Sequence, residues 1–368
     1  KQWGYEDYLA KLIAKACITC VTPNGGFSTD NVRVCKILGS CVVASSVKRG
    51  MVFRRNSEGE VKLATNCKVA VYSCPIDLLQ TETKGTILLK TAQELKDFST
   101  GEENQIEEFV KKVKEADCKV LVSGGKVGEL ALHYCNKYGI MLVRVNSKWD
   151  IRRLCNALGA TSLPMLTPPA QMDLGYCGSV KVEEIGEVNC AIFEQLQNVG
   201  SVSTIVVRGS TENIMEDLER AIDDGVNTFK CLNKDGRVVA GAGATEIELA
   251  LSLRSLAERT SGLAQYAIQR FGQSFECVPA ALAENSGLNA SNCIAEMYAA
   301  HTAGKKTAGL VSRDDLPKVE DTMQANILDT YLVKYWGIKL ASAVACTILK
   351  IDQIIMAKPA GGPKPGEQ

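Results

Sequence analysis

The stretch Thr211–Leu251 reads TENIMEDLERAIDDGVNTFKCLNKDGRVVAGAGATEIELAL and combines an acidic helix with a glycine-rich loop that leads into a second helix. Asp217, Arg220 and Asp224 are spaced three and four residues apart, which places them on one side of the first helix. The small residues at 241–244 would let backbone N–H groups approach an anion at the start of the next helix. A loop that binds phosphate and a nearby carboxylate are both parts of a nucleotide site, so this stretch is a candidate for one.

Each half of this stretch also has a purely structural interpretation. A charged row on a helix often forms only a surface salt bridge, here Arg220 with its acidic neighbours, worth at most about 1 kcal/mol. A glycine-rich turn can simply allow a buried helix to pack tightly. Against the first alternative, Asp224 is expected at the C-terminal end of its helix, beside Asp223 and before Gly225, where a negative charge opposes the helix dipole. The local features leave both alternatives open.

The composition excludes several classes of protein. With 368 residues, of which 46% are hydrophobic, the chain is large enough for two or three domains. Lys plus Arg and Asp plus Glu each number 42, so neither nucleic acid nor a membrane is an expected partner. The 15 cysteines lie singly in apolar surroundings, as free thiols do in a reducing compartment, and the cytoplasm is the predicted location. Cys17 and Cys20 form a CxxC pair without a second pair, so we expect structural cysteines and no metal site.

Hydrophobic periodicity predicts an N-terminal amphipathic helix, then alternating strands and helices, then mostly helices. Separate helices are expected at Thr91 and around Ile106, and the helix 266–285 is expected to be kinked at Pro279.

The alternating part is expected to be an α/β domain inserted into another domain, because it begins and ends where a charge is followed by a glycine, at Arg49–Gly50 and Arg208–Gly209. The helix 329–351, with Asp329 as its N-cap, is interrupted by lysines and is expected to be a buried core helix and not a membrane span.

Two further segments are candidate sites. Gly124 and Gly125 lie between a predicted strand and a predicted helix, but their spacing matches no nucleotide-binding motif, and a simple turn is the expected structure. A small-molecule enzyme built on that turn is the rival hypothesis, and it requires a deep pocket there. The second segment is the helix after Ser147, whose polar face is either solvated or binds another protein; this face is formed by Lys148, Arg152, Arg153 and Asn156.

Four runs of sequence resemble those of the group II chaperonins, specifically the subunits of the eukaryotic cytosolic chaperonin (TRiC, or CCT) of the TCP-1 family. They are IDDGVNTFK at 222–230, ATEIELA at 244–250, ALAENSGL at 281–288 and ILDTYLVKYWGIKLA at 327–341. The resemblance extends over essentially the whole chain. It implies a multidomain α+β and α/β protein in which an α/β apical domain is inserted in an intermediate domain, followed by a mainly α-helical equatorial domain. The implied ranges are 1–49 and 209–236 for the intermediate domain, 50–208 for the apical domain, 237–358 for the equatorial domain and 359–368 for a flexible tail.

The resemblance also implies an activity, partners and residue roles. The family forms hetero-oligomeric double rings that hydrolyse ATP with Mg²⁺ and fold cytosolic clients such as actin and tubulin. Asp224 matches the aspartate that activates the attacking water. The implied nucleotide-binding residues are Gly241, Ala242, Gly243, Leu310 near the adenine, and Asp329 at the ribose. In the apical domain, 91–104 matches the helical protrusion and the helix bearing Lys148 matches the one that faces substrate.

The sequence departs from the family pattern in two ways. Ala242 stands where the family has a third glycine, which raises the alternative of a largely architectural and client-binding subunit with weak or no hydrolysis of its own. The family's phosphate loop and its magnesium-binding aspartate have no counterpart in this sequence. We therefore expect no metal ligand in this chain, and we expect that the chain alone does not hydrolyse ATP.

Overall fold

The computed structural model describes residues 4–77, 91–195, 202–311 and 317–357. It divides into two compact units, Lys1–Asn233 and Lys234–Gln368, called the first and second units below. The predicted flexible tail, 359–368, lies outside the described residues. The three-domain division stays a prediction.

The first unit contains the predicted alternation of strands and helices. Its helices are α1 (Glu6–Cys20), α2 (Ala92–Glu115), α3 (Glu129–Tyr138), α4 (Lys148–Leu158) and α5 (Glu212–Lys234, whose last residue starts the second unit). Its strands are β1 (Val32–Leu38), β2 (Ser46–Phe53), β3 (Leu63–Tyr72), β4 (Cys118–Ser123), β5 (Met141–Arg144), β6 (Ser162–Leu163), β7 (Gly175–Ile185), β8 (Val188–Glu194) and β9 (Ser203–Gly209).

The second unit is mainly helical, as expected. Its helices are α6 (Ala244–Arg259), α7 (Ala264–Ser274), α8 (Cys277–Asn285), α9 (Ala290–Thr302) and α10 (Tyr331–Leu349). Its short strands are β10 (Val238–Ala240), β11 (Ala308–Val311), β12 (Lys318–Asp321) and β13 (Leu328–Thr330), paired antiparallel as β10 with β13 and β11 with β12.

One mixed sheet of nine strands runs through the first unit in the order β1-β9-β2-β8-β7-β3-β4-β5, with β6 beside β3. The parallel strands β3, β4 and β5 are covered on both faces, as parallel strands require. Val69 and Val71 face α4, whereas Ala70 and Tyr72 face α2 and α3, which is the two-residue alternation of a strand. The mixed α/β class predicted for the chain is confirmed.

Strand β2 changes partner in its middle, at Gly50. Its residues 46–49 pair with β9, and its residues 50–53 pair with β8. Gly50 has φ 118°, and a Cβ on it would lie 1.9 Å from the carbonyl oxygen of Phe193. The Gly50 N–H donates to the Val202 carbonyl at 2.7 Å. The crossover predicted at this glycine therefore coincides with a close backbone approach that only glycine permits.

Gly50→Ala is expected to destabilise the first unit by roughly 2–3 kcal/mol, because the methyl group adds a backbone clash to an unfavourable positive φ. Hydrogen exchange of the β2 and β8 amides measures the loss. Gly139→Ala is the matched control: Gly139 also has positive φ (69°), but its added Cβ meets nothing within 4 Å. Equal losses in the two variants would show that the contact with Phe193 has no cost.

Helices α1 and α5 pack on the β1–β9 end of the sheet. The apolar face predicted for the first helix is confirmed by buried Leu9, Leu12, Ile13 and Ala16. For α5 the prediction was wrong, because the helix does not end near Gly225 but continues to Lys234. A Cβ on Gly225 would lie 2.8 Å from Cδ1 of Ile13, so this glycine allows α1 to approach and does not stop the helix.

Two predicted helix boundaries were also wrong. Separate helices at Thr91 and around Ile106 form the single helix α2. Pro279 does not kink a long helix but lies in the first turn of α8, where its missing N–H leaves no hydrogen bond unmade.

The prediction of a buried C-terminal core helix was wrong. No residue of α10 is buried, because the described elements contact this helix chiefly at its beginning, through β13. Within the described residues, α10 is the one helix long and apolar enough to cross a membrane, a weak indication when it stands alone. Lys334, near the start of α10, is paired with two carboxylates of the second unit, so this end of the helix is held by protein contacts.

Candidate nucleotide site

The glycine-rich loop at 241–243 connects β10 to α6 and is held by its carbonyl groups. The Gly241 carbonyl accepts from the N–H of Ala244 at 3.1 Å, and the Ala242 carbonyl accepts from the N–H of Leu310 at 3.0 Å. Ala242 and Gly243 are both in the left-handed region, with φ of 52° and 81°. The loop is therefore a hydrogen-bonded turn joined to β11.

The glycines of this loop have a packing explanation. A Cβ on Gly241 would lie 3.0 Å from the Ile327 carbonyl oxygen, and one on Gly243 would lie 2.9 Å from Cβ of Pro279. The tight-packing alternative thus accounts for the choice of glycine. It does not account for the N–H groups of Ala242 and Gly243, which donate to no group in the described part of the chain. Consecutive free N–H groups in such a turn are suited to an anion.

Ala242→Gly is expected to stabilise the second unit by roughly 0.5–1 kcal/mol, since relief of the left-handed conformation outweighs the entropy that glycine adds to the unfolded chain. Hydrogen exchange of α6 and β11 amides reports the change. The control Ala244→Gly, in the first turn of α6, should have the opposite sign. A destabilised Ala242→Gly variant would contradict the prediction.

The prediction that Asp329 is the N-cap of the last helix was wrong. Asp329 is a residue of β13 and is paired with Val239 of β10. The N-cap position of α10 is Thr330, which makes no side-chain capping bond. The Asp329 carboxylate lies 2.9 Å from Nζ of Lys334. Its Oδ2 atom is 3.3 Å from the position that a Cβ on Gly241 would occupy.

Lys334 also binds Glu246, in the first turn of α6, at 2.5 Å. Glu246 is buried, and its Oε2 atom has no hydrogen-bond partner among the described residues. Burial lowers the pKa of the Lys334 ammonium, but the hydrogen bonds to Glu246 and Asp329 raise it more, so the net shift is upward and the group stays charged. Lys334 therefore joins the start of α6 to β13 directly behind the loop.

The structure brings four of the predicted nucleotide-binding positions together with Asp329 in the second unit. Leu310 is buried in β11 and is tied to the loop through its N–H. The set comprises Gly241, Ala242, Gly243, Leu310 and Asp329. Their binding roles stay predictions.

Asp224 belongs to the first unit and lies in the middle of α5. The prediction of a position at the helix end was wrong, so the negative end of the helix dipole does not lie at this carboxylate. The predicted salt bridge joins Arg220 to Asp217 at 3.8 Å, with both side chains exposed. No cation of the described residues lies within 4 Å of the Asp224 carboxylate. Asp224 lines a groove of about 720 Å³ between α1 and α5.

The neighbouring carboxylate of Asp223 has a pKa raised above its ordinary value. Partial burial is the largest cause, and the negative charges of Glu219 and Asp224 add to it, while Arg33 acts in the opposite direction. The two adjacent aspartates thus differ: Asp223 faces a mixed charged surface, and Asp224 faces the open groove.

Helix α4 carries the predicted client-binding face. Its inner face is formed by buried Ile151, Leu154, Cys155 and Leu158. Three of the four predicted residues, Lys148, Arg152 and Asn156, are exposed, whereas Arg153 is half-buried and pairs with Asp150 at 3.1 Å. Sequence reasoning missed Trp149, which is 66% exposed on the same helix. Its spacing from Arg152 and Asn156 (149, 152, 156) was the signal that it shares their face.

The remaining candidate segments are structural. A Cβ on Gly124 would lie 2.6 Å from the Ser73 carbonyl oxygen, and one on Gly125 would lie 2.9 Å from Pro75, so the chain itself fills the turn. The rival enzyme hypothesis is therefore dropped. Cys17 and Cys20 are fully buried, and burial raises the pKa of their thiols to about 11 and about 12. The described residues contain no group of three potential metal ligands.

These features are those of a chaperonin subunit, and the chain belongs to the TCP-1/cpn60 chaperonin family, whose model matches residues 1–359. The open-state monomer of a group II chaperonin from Methanococcoides burtonii has the same fold, with a TM-score of 0.71, 25% identity, and coverage of 95% of this chain and 83% of that chain.

Among individual relatives, T-complex protein 1 subunit theta of Mus musculus is 56% identical over 365 residues, which cover 99% of this chain and 67% of the relative. The corresponding subunit theta of Caenorhabditis elegans is 49% identical, with the same shares covered. The ending IDQIIMAKPAGGPKP, at 351–365, points to the theta subunit within the family. The predictions of the family and of a likeness to subunit theta are confirmed.

Proposed function

We propose that this chain is part of an ATP-hydrolysing subunit of a ring chaperonin that encloses and folds cytosolic proteins. The observation that carries the nucleotide site is the pair of free N–H groups at Ala242 and Gly243, in a turn rigidly held by Leu310 and adjacent to Asp329. Family membership supports the ring assembly with other chaperonin subunits.

The residues of the second unit fit a nucleotide. The free N–H groups are suited to phosphate oxygens, and the Asp329 carboxylate is suited to accept hydrogen bonds from ribose hydroxyls. Bound ATP would supply the phosphoanhydride bond whose hydrolysis drives the cycle, with Mg²⁺ neutralising phosphate charge. None of the residues of this chain is proposed as a magnesium ligand. The ligand is expected in the family segment to which this sequence has no counterpart.

We propose that the Asp224 carboxylate orients the attacking water and accepts its proton. Support comes from the resemblance of the run 222–230 and from the geometry of the side chain, which is exposed and has no ion-pair partner within the described residues. A free carboxylate can act as a base, whereas one held by a cation is a weaker base.

In the first unit, we propose that the exposed face of α4 contacts clients. Lys148, Arg152 and Asn156 supply polar contacts, and exposed Trp149 supplies an aromatic anchor of the kind common at protein interfaces. Actin and tubulin are proposed clients, and the cytoplasm is the proposed location, both on the basis of the resemblance.

Co-expression of the tagged full-length subunit with the other subunits of a ring chaperonin tests the proposal. We expect it to co-purify in a particle of ring size and to convert ATP bound at its own site to ADP. Recovery of the chain only in particles that lack the other subunits would contradict it.

The second candidate, a largely architectural and client-binding subunit, is favoured by one observation. Ala242 holds a left-handed conformation at the position of a family glycine, and its methyl group adds bulk to the loop. The nucleotide content of this subunit in the assembled ring separates the two functions. A site that is always empty, or that always holds unhydrolysed ATP, favours the second.

A further inference from the structure

A cavity of about 420 Å³ lies in the first unit, where β1, β2 and the end of β5 meet the beginning of α4. It is separate from the groove beside Asp224, and none of its lining residues belongs to the second unit. The volume is within the range of small-molecule sites, roughly 300–1,000 Å³, and is too small for a folded partner.

The lining of this cavity is strongly basic. Five cationic residues line it, Arg33, Lys36, Arg54, Arg55 and Arg144, against one acidic residue, Asp150. The Asp150 carboxylate is already shared between Arg153 at 3.1 Å and Arg33 at 3.8 Å. Arg54 and Arg55 are exposed and Arg144 is half-buried, so an anion that entered the cavity would meet several positive charges.

Three of the four arginines of the cavity have no carboxylate partner among the described residues. Lys36 pairs with Glu219 at 2.6 Å. Arg54, Arg55 and Arg144 have no carboxylate within 4 Å in the ranges that the structure describes. Arg54 donates to the Lys36 carbonyl at 3.2 Å, and Nε of Arg144 donates to the Asn146 side chain at 3.0 Å. These neutral contacts aim the guanidinium groups and leave donors free.

We propose that this cavity binds a small phosphorylated metabolite carrying at least two phosphate groups. Guanidinium groups bind phosphate oxygens in pairs, and three arginines without carboxylate partners match more than one phosphate. The beginning of α4 adds the positive end of its dipole at the same wall. The recognised part of the ligand is its phosphates.

Calorimetric titration of the full chain with inorganic tripolyphosphate, at about 0.15 M salt, tests the proposal. We expect one tripolyphosphate to bind per chain at this cavity, apart from any that binds at the loop 241–243. Arg54→Ala with Arg144→Ala should weaken binding at least tenfold. The control, Arg259→Ala with Arg270→Ala, removes two exposed arginines of the second unit and should leave affinity unchanged. ATP should compete with tripolyphosphate, and adenosine should not.

Three results would overturn the proposal: no binding to the wild-type chain, equal weakening in both double variants, or no weakening in either. If the alanine variant fails to fold, Arg54→Lys with Arg144→Lys keeps the charges and should still weaken binding by loss of paired hydrogen bonds. Hydrogen exchange of the wild-type chain then gives an independent readout. Tripolyphosphate should protect residues 51–55 and 144–150, and protection confined to residues 241–246 would assign the ligand to the second unit instead.

Discussion

Asp224→Asn is expected to lower ATP hydrolysis at this subunit's site by roughly 10²–10⁴-fold while ATP binding is retained. The amide keeps the size of the carboxylate, but it cannot accept a proton from the attacking water. The α5 backbone should be unaffected, because the side chain is exposed and makes no ion pair with the described residues. The change is made in the full-length subunit assembled with its ring partners, and single-turnover hydrolysis is measured alongside nucleotide occupancy.

Asp217→Asn is the matched control for this experiment. Asp217 lies two turns earlier on the same helix, lines the same groove and forms the exposed pair with Arg220. Its loss should change hydrolysis little, because an exposed ion pair contributes at most about 1 kcal/mol. Unchanged hydrolysis in the Asp224 variant would remove the proposed base, and equal loss in both variants would indicate a general effect on the helix.

Lys334→Met is expected to destabilise the second unit by about 3–5 kcal/mol, the usual result of leaving a buried charge without its partner. The variant strands the buried Glu246 carboxylate, one oxygen of which already lacks a hydrogen bond within the described residues. It also frees Asp329 from its 2.9 Å contact, so the loop 241–243 should lose order with the fold. Hydrogen exchange of α6, β10 and β13 measures both effects.

Two comparisons make this prediction specific. Adding Glu246→Met to Lys334→Met removes the stranded charge and should recover most of the stability, because replacing both partners by apolar groups is often close to neutral. Lys339→Met removes the next lysine of α10, which lies over the Trp336 ring at 4.8 Å, and should cost about 1 kcal/mol or less. A loss for Lys334→Met no larger than that for Lys339→Met would contradict the prediction.

Local periodicity predicted the parts of the fold that depend only on residues close together in sequence. The inner face of α4 and the apolar face of α1 follow from helical spacing, and the structure has both. The errors have tertiary causes. Gly225 was interpreted as a helix stop. A glycine is needed there because the side chain of Ile13, more than two hundred residues away in sequence, packs against it. Asp329 was interpreted as a cap because its pairing with Val239 cannot be seen from its neighbours.

The candidate nucleotide site was predicted mainly from resemblance, since the local features of its loop allowed a packing interpretation as well. The structure shows features of the site that the sequence could not. The free N–H groups depend on the left-handed φ of Ala242 and Gly243 and on the hydrogen bond that the Leu310 N–H donates to the Ala242 carbonyl. The Lys334–Glu246 pair spans 88 residues and has no sequence signature. The basic cavity likewise draws its arginines from separate strands and became visible only in three dimensions.

The partner change of β2 at Gly50 also determines how the first unit would respond to mechanical tension. Arg49 lies directly opposite Ser203, and the Gly50 N–H is bonded to the Val202 carbonyl, so the chain leaves and re-enters the β1–β9 end of the sheet at one point. A pulling force applied to α1 and α5 would first be carried by the contact between these helices and by the pairing of β9 with β1 and β2. The residues between 50 and 202 would bear no tension until those contacts broke.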